Sequence, residues 1–371
     1  MQVICELCGR KESYDPAKWR CDCGGAWLLQ SLQSFQIESI KKESKSIWRY
    51  GSFFPAEMRE KPVSLGAGFT PLLDCTLYDR KVLLKLDYLM PTGSFKDRGV
   101  ELMMNSLAAL GVDRVAEDSS GNAGAAVAAY AARLGMQADI FAPSHASPAK
   151  LSQISVFGAK VHTIPGEREN ASKAVLEAVE KGTVYASHAY NPIYLFGQQT
   201  AAWEIWEQIG YHAPDWVIVP VGQGGTLLGY FEGFSALHKA KLIDKIPGLI
   251  AVQPERLAPI CDALQENWQN WESVSAPQPG SIAEGLAITT PVRWKHIMRA
   301  IKDSSGFCVR VAEEDILPAQ KLLAEKGFYV EPTSAVVVAA LKKVINLIER
   351  DQMIVISLTG SGLKSASLPS M

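Results

Sequence analysis

Apolar runs of strand length alternate along this chain with longer stretches whose apolar residues recur at helical spacing. Residues 82–86 read as a short buried strand and 99–110 as a helix; 115–117 precede a helix of small residues at 125–134. Strand-like 138–141 leads to helical 148–157, 160–164 to 169–181, 184–185 to 194–209, and 216–221 to a helix from 227 to about 240, with a last buried strand at 354–358. Such alternation predicts an α/β chain of twisted, mostly parallel sheet with helices on both faces. No repeat or low-complexity tract interrupts it. The stretch 273–280, rich in Ser, Pro and Gly, reads as the clearest loop, and Trp268 and Trp271 before it read as a surface helix with its aromatic edge docked.

Length and charge narrow the function classes. At 371 residues the chain exceeds what one hydrophobic core usually takes, so two lobes and a small appendage are expected. Lys and Arg number 37 against 39 Asp and Glu, a net charge of −2 that offers no footprint for nucleic acid. No apolar run reaches membrane-span length, and residues 1–30 carry cysteines and charges where a signal peptide needs an apolar stretch, so the expected address is the cytoplasm, with no membrane partner. Cys75, Cys261 and Cys308 are scattered and are expected as reduced thiols.

The other four cysteines are grouped. Cys5 and Cys8, then Cys21 and Cys23, form two close pairs, each with glycine just behind it, a spacing that can close a tetrahedral zinc site. A relic knuckle without metal and a disulfide pair are the competing readings. A segment this short has little core of its own and would fold with its metal or by docking on the main body. Nothing near it supplies an open coordination position, so its role reads as structural.

The chemistry gathers at the carboxyl ends of strands, where ligands sit in open α/β sheets. Pro91-Thr92-Gly93-Ser94-Phe95-Lys96-Asp97-Arg98-Gly99 places one lysine at a helix start, where the dipole and enclosure both favour the neutral amine that Schiff-base chemistry needs. Gly222, Gln223, Gly224, Gly225 and Thr226 follow a strand and open a helix, so backbone N–H groups can approach a phosphate. The spacing is neither that of a dinucleotide fingerprint nor that of a P-loop. Ser119, Ser120 and Asn122 sit at another strand-to-helix turn, suited either to capping or to holding a substrate carboxylate and a ring hydroxyl. Thr359 follows the last strand, where its hydroxyl could face a pyridine nitrogen.

These residues together resemble the threonine synthase branch of the fold-type II pyridoxal-phosphate enzymes, the superfamily of the tryptophan synthase β-subunit, from about Thr70 to Lys364. The resemblance implies that Lys96 joins the cofactor aldehyde and acts as general base, and that Asn122 contacts the ring hydroxyl. It also implies that Gly222 to Thr226 hold the phosphate and Thr359 the ring nitrogen, a pairing that favours elimination and replacement. The implied lobes are a larger one at 31–97 and 190–371 and a smaller mobile one at 98–189, with the cofactor between them, after a zinc-ribbon-like segment at 1–30. A homodimer acting on a small amino-acid substrate is implied as well.

The chain departs from that branch where substrate would bind. Ala123 stands in place of the usual Thr after Asn122, the segment around His188, Ala189 and Tyr194 lacks the usual Asn-Ser pair and nearby Arg, and Ser361 replaces a common His. Hydroxyls and a guanidinium hold a phosphate dianion best, so these losses weigh against tight O-phosphohomoserine binding. Lys85 remains as a candidate anion contact or as a lysine at a strand edge. Three readings stay open: a threonine synthase with relocated phosphate contacts; a relative that eliminates or replaces at Cβ of a serine-, threonine- or O-phosphoserine-like substrate, its pocket shaped by His188 or Tyr194; and a non-catalytic cofactor-binding protein.

Overall fold

A computed structural model describes residues 1–30, 34–58, 62–144, 146, 148–166, 168–272, 274 and 280–364. Contacts divide the chain into two units. The first comprises Met1–Phe69, Met90–Thr200 and Lys364, the second Thr70–Leu89 and Ala201–Leu363. Residues 31–69 and 90–97 thus group with the segment expected as the smaller lobe.

The first unit opens on three short antiparallel strands, β1 (Gln2–Cys5), β2 (Lys11–Ser13) and β3 (Trp27–Leu29), in the order β2-β1-β3. Further on, β6 (Arg114–Glu117), β7 (Gln137–Pro143), β8 (Lys160–Ile164) and β9 (Val184–Tyr185) form a parallel sheet in the order β8-β7-β6-β9. Helices α1 (Lys96–Ala109), α2 (Asn122–Leu134), α3 (Pro148–Val156), α4 (Arg168–Glu180) and α5 (Pro192–Gln198) accompany it. Alanines at 125, 126, 128 and 131 let α2 pack into the core beside Met103, Met104 and Ile140, and Gly135, with φ 69°, ends the helix in a left-handed cap.

In the second unit β4 (Leu72–Leu77), β5 (Arg80–Leu86), β10 (Trp216–Pro220), β11 (Gly248–Pro254), β12 (Phe307–Val311) and β13 (Ile354–Leu358) form one sheet in the order β12-β11-β10-β13-β5-β4. Only β4 runs antiparallel, at the edge. The central strands are buried along their whole apolar length, as strands covered on both faces must be. Helices α6 (Thr200–Gln208), α7 (Gly225–Lys239), α8 (Pro259–Gln265), α9 (Trp294–Asp303), α10 (Glu313–Glu325) and α11 (Pro332–Val344) complete the unit.

Four expectations are corrected. The helix read at 194–209 is two helices: the Gln199 N–H turns to the Phe196 carbonyl at 3.2 Å, and the Thr200 hydroxyl donates to the Gly197 carbonyl at 2.9 Å where the second helix begins. Trp268 and Trp271 lie in an irregular segment after α8, their rings 5.3 Å apart and Trp271 5.4 Å from Trp294. Of the loop read at 273–280, residues 273 and 275–279 lie outside the described residues. Cys261 and Cys308 are not reduced: α8 packs on β12, which brings their Cα atoms to 5.2 Å, and a disulfide joins them. A separation of 47 residues hid the pair. Lys85 is neither at a sheet edge nor open to an anion, as β5 lies inside the sheet and the side chain is fully buried. Its ammonium donates to Glu204 Oε2 at 2.7 Å, the Thr70 carbonyl at 2.8 Å and Gln208 Oε1 at 2.9 Å, which uses all three protons.

Candidate active site

Lys96 is the first residue of α1, half-buried, its Nζ 4.1 Å from the centroid of the Phe95 ring. The turn before it is folded back by Asp97, whose carboxylate accepts from the Thr92 N–H at 2.7 Å and the Thr92 hydroxyl at 2.5 Å. Lys364 donates to the Thr92 carbonyl at 2.7 Å and ties the same turn from the other side. Asp97 is fully buried, and desolvation pushes its carboxyl up to about 7 against the opposing pull of the Thr92 donors and Lys364. Ser94, two residues before the lysine, is buried, and among the described residues its hydroxyl has no partner.

One turn on, Glu101 anchors α1. Its carboxylate accepts from Trp48 Nε1 and Ser64 Oγ, each at 2.6 Å, Tyr130 Oη at 2.9 Å, and the Leu65 and Ala67 N–H groups at 3.3 Å. Burial pushes its pKa up although these donors favour the charged form. Gly99 and Gly197 let α1 and α5 cross closely: a Cβ at Gly99 would lie 2.5 Å from the Tyr194 ring, and one at Gly197 2.6 Å from the Arg98 carbonyl.

The Ser119 to Asn122 turn leaves the carboxyl end of β6, and Asn122 starts α2. No side chain caps that helix start. Gly124 is required there because a Cβ would collide with the Ser119 carbonyl. Ala123 is buried and presents no hydroxyl. His188 follows the neighbouring strand β9, and its Nδ1 lies 2.6 Å from Oε1 of the fully buried Glu117. Tyr194 is buried with its ring 6.1 Å from that of His188. Desolvation, then Glu117 and Asp97, hold its pKa well above the usual range against the opposing pull of Gln198.

In the second unit the glycine loop and Thr359 leave the carboxyl ends of adjacent parallel strands, β10 and β13. Gly224 is the left-handed N-cap of α7 at φ 79°, with no capping side chain, so the first N–H groups of α7 are left for a ligand. Side chains are excluded around it: a Cβ at Gly222 would lie 2.9 Å from the Gly285 carbonyl, and one at Gly224 would enter Ile297. The Gln223 amide oxygen accepts from the Val292 N–H at 3.0 Å, which steadies the loop, and Thr226 is buried on the first turn. The buried Thr359 donates its N–H to Ser334 Oγ at 2.8 Å. Uncapped amides behind glycines and a buried hydroxyl at the next strand end fit a phosphorylated ring cofactor.

A family model described as pyridoxal-phosphate dependent enzyme matches residues 63–360. The chain belongs to this family. A threonine synthase from Methanocaldococcus jannaschii is 35% identical over 97% of the chain and 92% of its own length, and one from Mycobacterium tuberculosis is 35% identical over 82% and 84%. Among solved structures, a serine racemase from Dictyostelium discoideum superposes with TM-score 0.67 at 26% identity over 79% of the chain and 92% of its own. A T.th. threonine deaminase gives 0.67 at 27% over 81% and 94%. The fold is that of the fold-type II enzymes, and the family implies pyridoxal phosphate as cofactor.

The four clustered cysteines are brought together as expected, their Sγ atoms all within 4.8 Å. Cys5 and Cys23 lie 3.4 Å apart and Cys8 and Cys21 3.7 Å apart, near the edge of about 3.8 Å of a tetrahedron with Zn–S bonds of about 2.3 Å. Among the described residues no helix is long and apolar enough to cross a membrane. Sequence reasoning missed Asp97, Glu101 and Glu117. The signal for the first two was present, polar side chains at 97, 101 and 105 repeating every four residues along one face of the helix.

Proposed function

We propose that the protein is a threonine synthase, converting O-phosphohomoserine and water to threonine and phosphate. The observation that carries this reading is similarity to a threonine synthase over 97% of the chain and 92% of the relative, together with an intact lysine turn. When bound, pyridoxal phosphate supplies an aldehyde for the amino group and a conjugated ring that stabilises negative charge beside it.

The chain's own residues do the rest. Lys96 would hold the aldehyde, and its amine would take the substrate Cα proton. The amides of Gly222 to Thr226 would bind the cofactor phosphate, Asn122 the ring hydroxyl, and Thr359 the ring nitrogen. Ser119, Ser120 and the uncapped start of α2 bind the substrate carboxylate, while Ala123, His188 and Tyr194 line its side chain. The chain acts as a cytoplasmic homodimer. Cys5, Cys8, Cys21 and Cys23 hold a structural zinc ion, so Cys21→Ser lowers both bound zinc and melting temperature.

A second reading, β-elimination or β-replacement on a serine-like, threonine-like or O-phosphoserine substrate, is favoured by the buried Glu117 carboxylate beside His188, which opposes a phosphate dianion. Assays of phosphate and threonine from O-phosphohomoserine, beside 2-oxo acid from L-serine, L-threonine and O-phosphoserine, decide between them. Phosphate without threonine overturns the first reading.

A further inference from the structure

The cysteine knuckle carries two aromatic side chains that reach the substrate-side turns of its own unit. Its small core is Val3, Cys5, Cys21 and Trp27. Trp27 Nε1 donates to the Lys18 carbonyl at 3.1 Å, which fixes the backbone just before Trp19. The Trp19 ring meets Tyr185 edge-on at 5.5 Å and Tyr190 at 4.6 Å, while the Arg20 guanidinium lies over it at 4.4 Å. Tyr185 in turn donates its hydroxyl to Asp118 Oδ1 at 2.7 Å, and Ser172 holds Oδ2 at 2.6 Å. Asp118 is the residue before Ser119, so an edge of the knuckle is two contacts from the candidate carboxylate clamp.

A second line runs through Tyr14. Asn191 is the N-cap of α5, and its Oδ1 accepts from the Ile193 N–H at 2.8 Å and the Tyr194 N–H at 3.2 Å. Its other end, Nδ2, donates to the Tyr14 hydroxyl at 3.1 Å. One planar amide, three residues beyond His188, therefore links the knuckle to the helix start that carries Tyr194. The cleft at this seam, between Tyr14, Trp19, Tyr185 and Asn191, offers only about 10 Å³, room for about one water. It is a packed joint, too small for an organic ligand.

We propose that the cysteine knuckle positions the substrate-binding turns, Trp19 acting through Tyr185 and Asp118 on the Ser119 to Asn122 turn, and Tyr14 acting through Asn191 on His188 and Tyr194. This rests on the reading above that those turns bind substrate. Tyr14 and Trp19 are positioning residues, since neither touches the reacting atoms. A knuckle that served stability alone would leave the two turns no better ordered than their neighbours.

The test uses the full-length, cofactor-loaded protein and its Trp19→Ala, Trp19→Phe and Tyr14→Phe forms. Backbone hydrogen exchange is followed at 118–122 and 185–194, with bound zinc, the visible cofactor band, KM and kcat measured beside it. Trp19→Ala is expected to speed exchange in both segments about tenfold or more, with β10 and β13 unchanged. Tyr14→Phe, which keeps the ring but loses the acceptor, is expected to speed only 188–194, by about fivefold. KM should rise several-fold with kcat and the cofactor band little changed. Should Trp19→Ala fail to fold, Trp19→Phe and Tyr14→Phe give the same readout. Unchanged exchange in both segments overturns the proposal. Faster exchange with unchanged KM keeps the mechanical link but overturns the role in substrate binding. Because exchange needs no substrate, it stands apart from any failure of the wild type to turn over O-phosphohomoserine.

Discussion

The glycine loop of the second unit and the lysine turn of the first are built on opposite principles. Around Gly222 and Gly224 the walls are backbone and aliphatic carbon, and what matters is the absence of side chains. Beside Lys96 on α1 stand buried carboxyl groups, Asp97 satisfied by Thr92 within the same turn and Glu101 by donors from other segments. A phosphate needs many N–H groups and no competing charge, which bare backbone supplies. A lysine that must be held and then released needs a helix start that does not drift, and buried hydrogen-bonded carboxylates provide it at the risk of a costly unpaired charge.

Substitutions on the two sides should therefore fail differently. Lys96→Ala is expected to lower turnover by about 1000-fold or more while the far-ultraviolet spectrum and melting curve stay near wild type; retained turnover would show that another amine serves. Glu101→Gln sets an NH₂ group among five donors, and urea unfolding should show a loss of about 3 kcal/mol. Gly224→Ala forces a side chain into φ 79° and against Ile297, so pyridoxal phosphate should bind about tenfold more weakly by titration of its absorbance, with a smaller change in unfolding. If Gly224→Ala unfolds the protein more than Glu101→Gln does, the contrast fails.

The smallest effect is a pH slope. Asp97 titrates at about 7 in the fold against an ordinary value of 3.8, so the native state holds the extra proton between those values. Its contribution is complete below 3.8 and is lost as pH rises through about 7. Melting temperature should accordingly decline over that window, and Asp97→Asn should flatten the decline. An identical slope in the variant would place the titration elsewhere.

The same contrast explains what could be read in advance. The strand, glycine loop and helix of 216–239 were legible because each signal is local: an apolar run, glycines, then helical spacing. Lys96 was legible from a contiguous motif. Glu101 was not, because its partners Trp48, Ser64 and Tyr130 are brought in by the fold. Lys85 misled for the same reason: its acceptors on α6 are more than a hundred residues away. Cys261 and Cys308 meet only because β11 and β12 pair and α8 folds back over them.

The close crossing at Gly99 reaches past this molecule. Because both the ring and the backbone carbonyl of Tyr194 fill the space a methyl group would need, a slimmer side chain at 194 does not by itself admit alanine at 99. The glycine that ends the lysine motif is demanded by the backbone crossing of α1 and α5. A lineage can therefore remodel residue 194, and with it what the pocket accepts, without ever releasing that glycine.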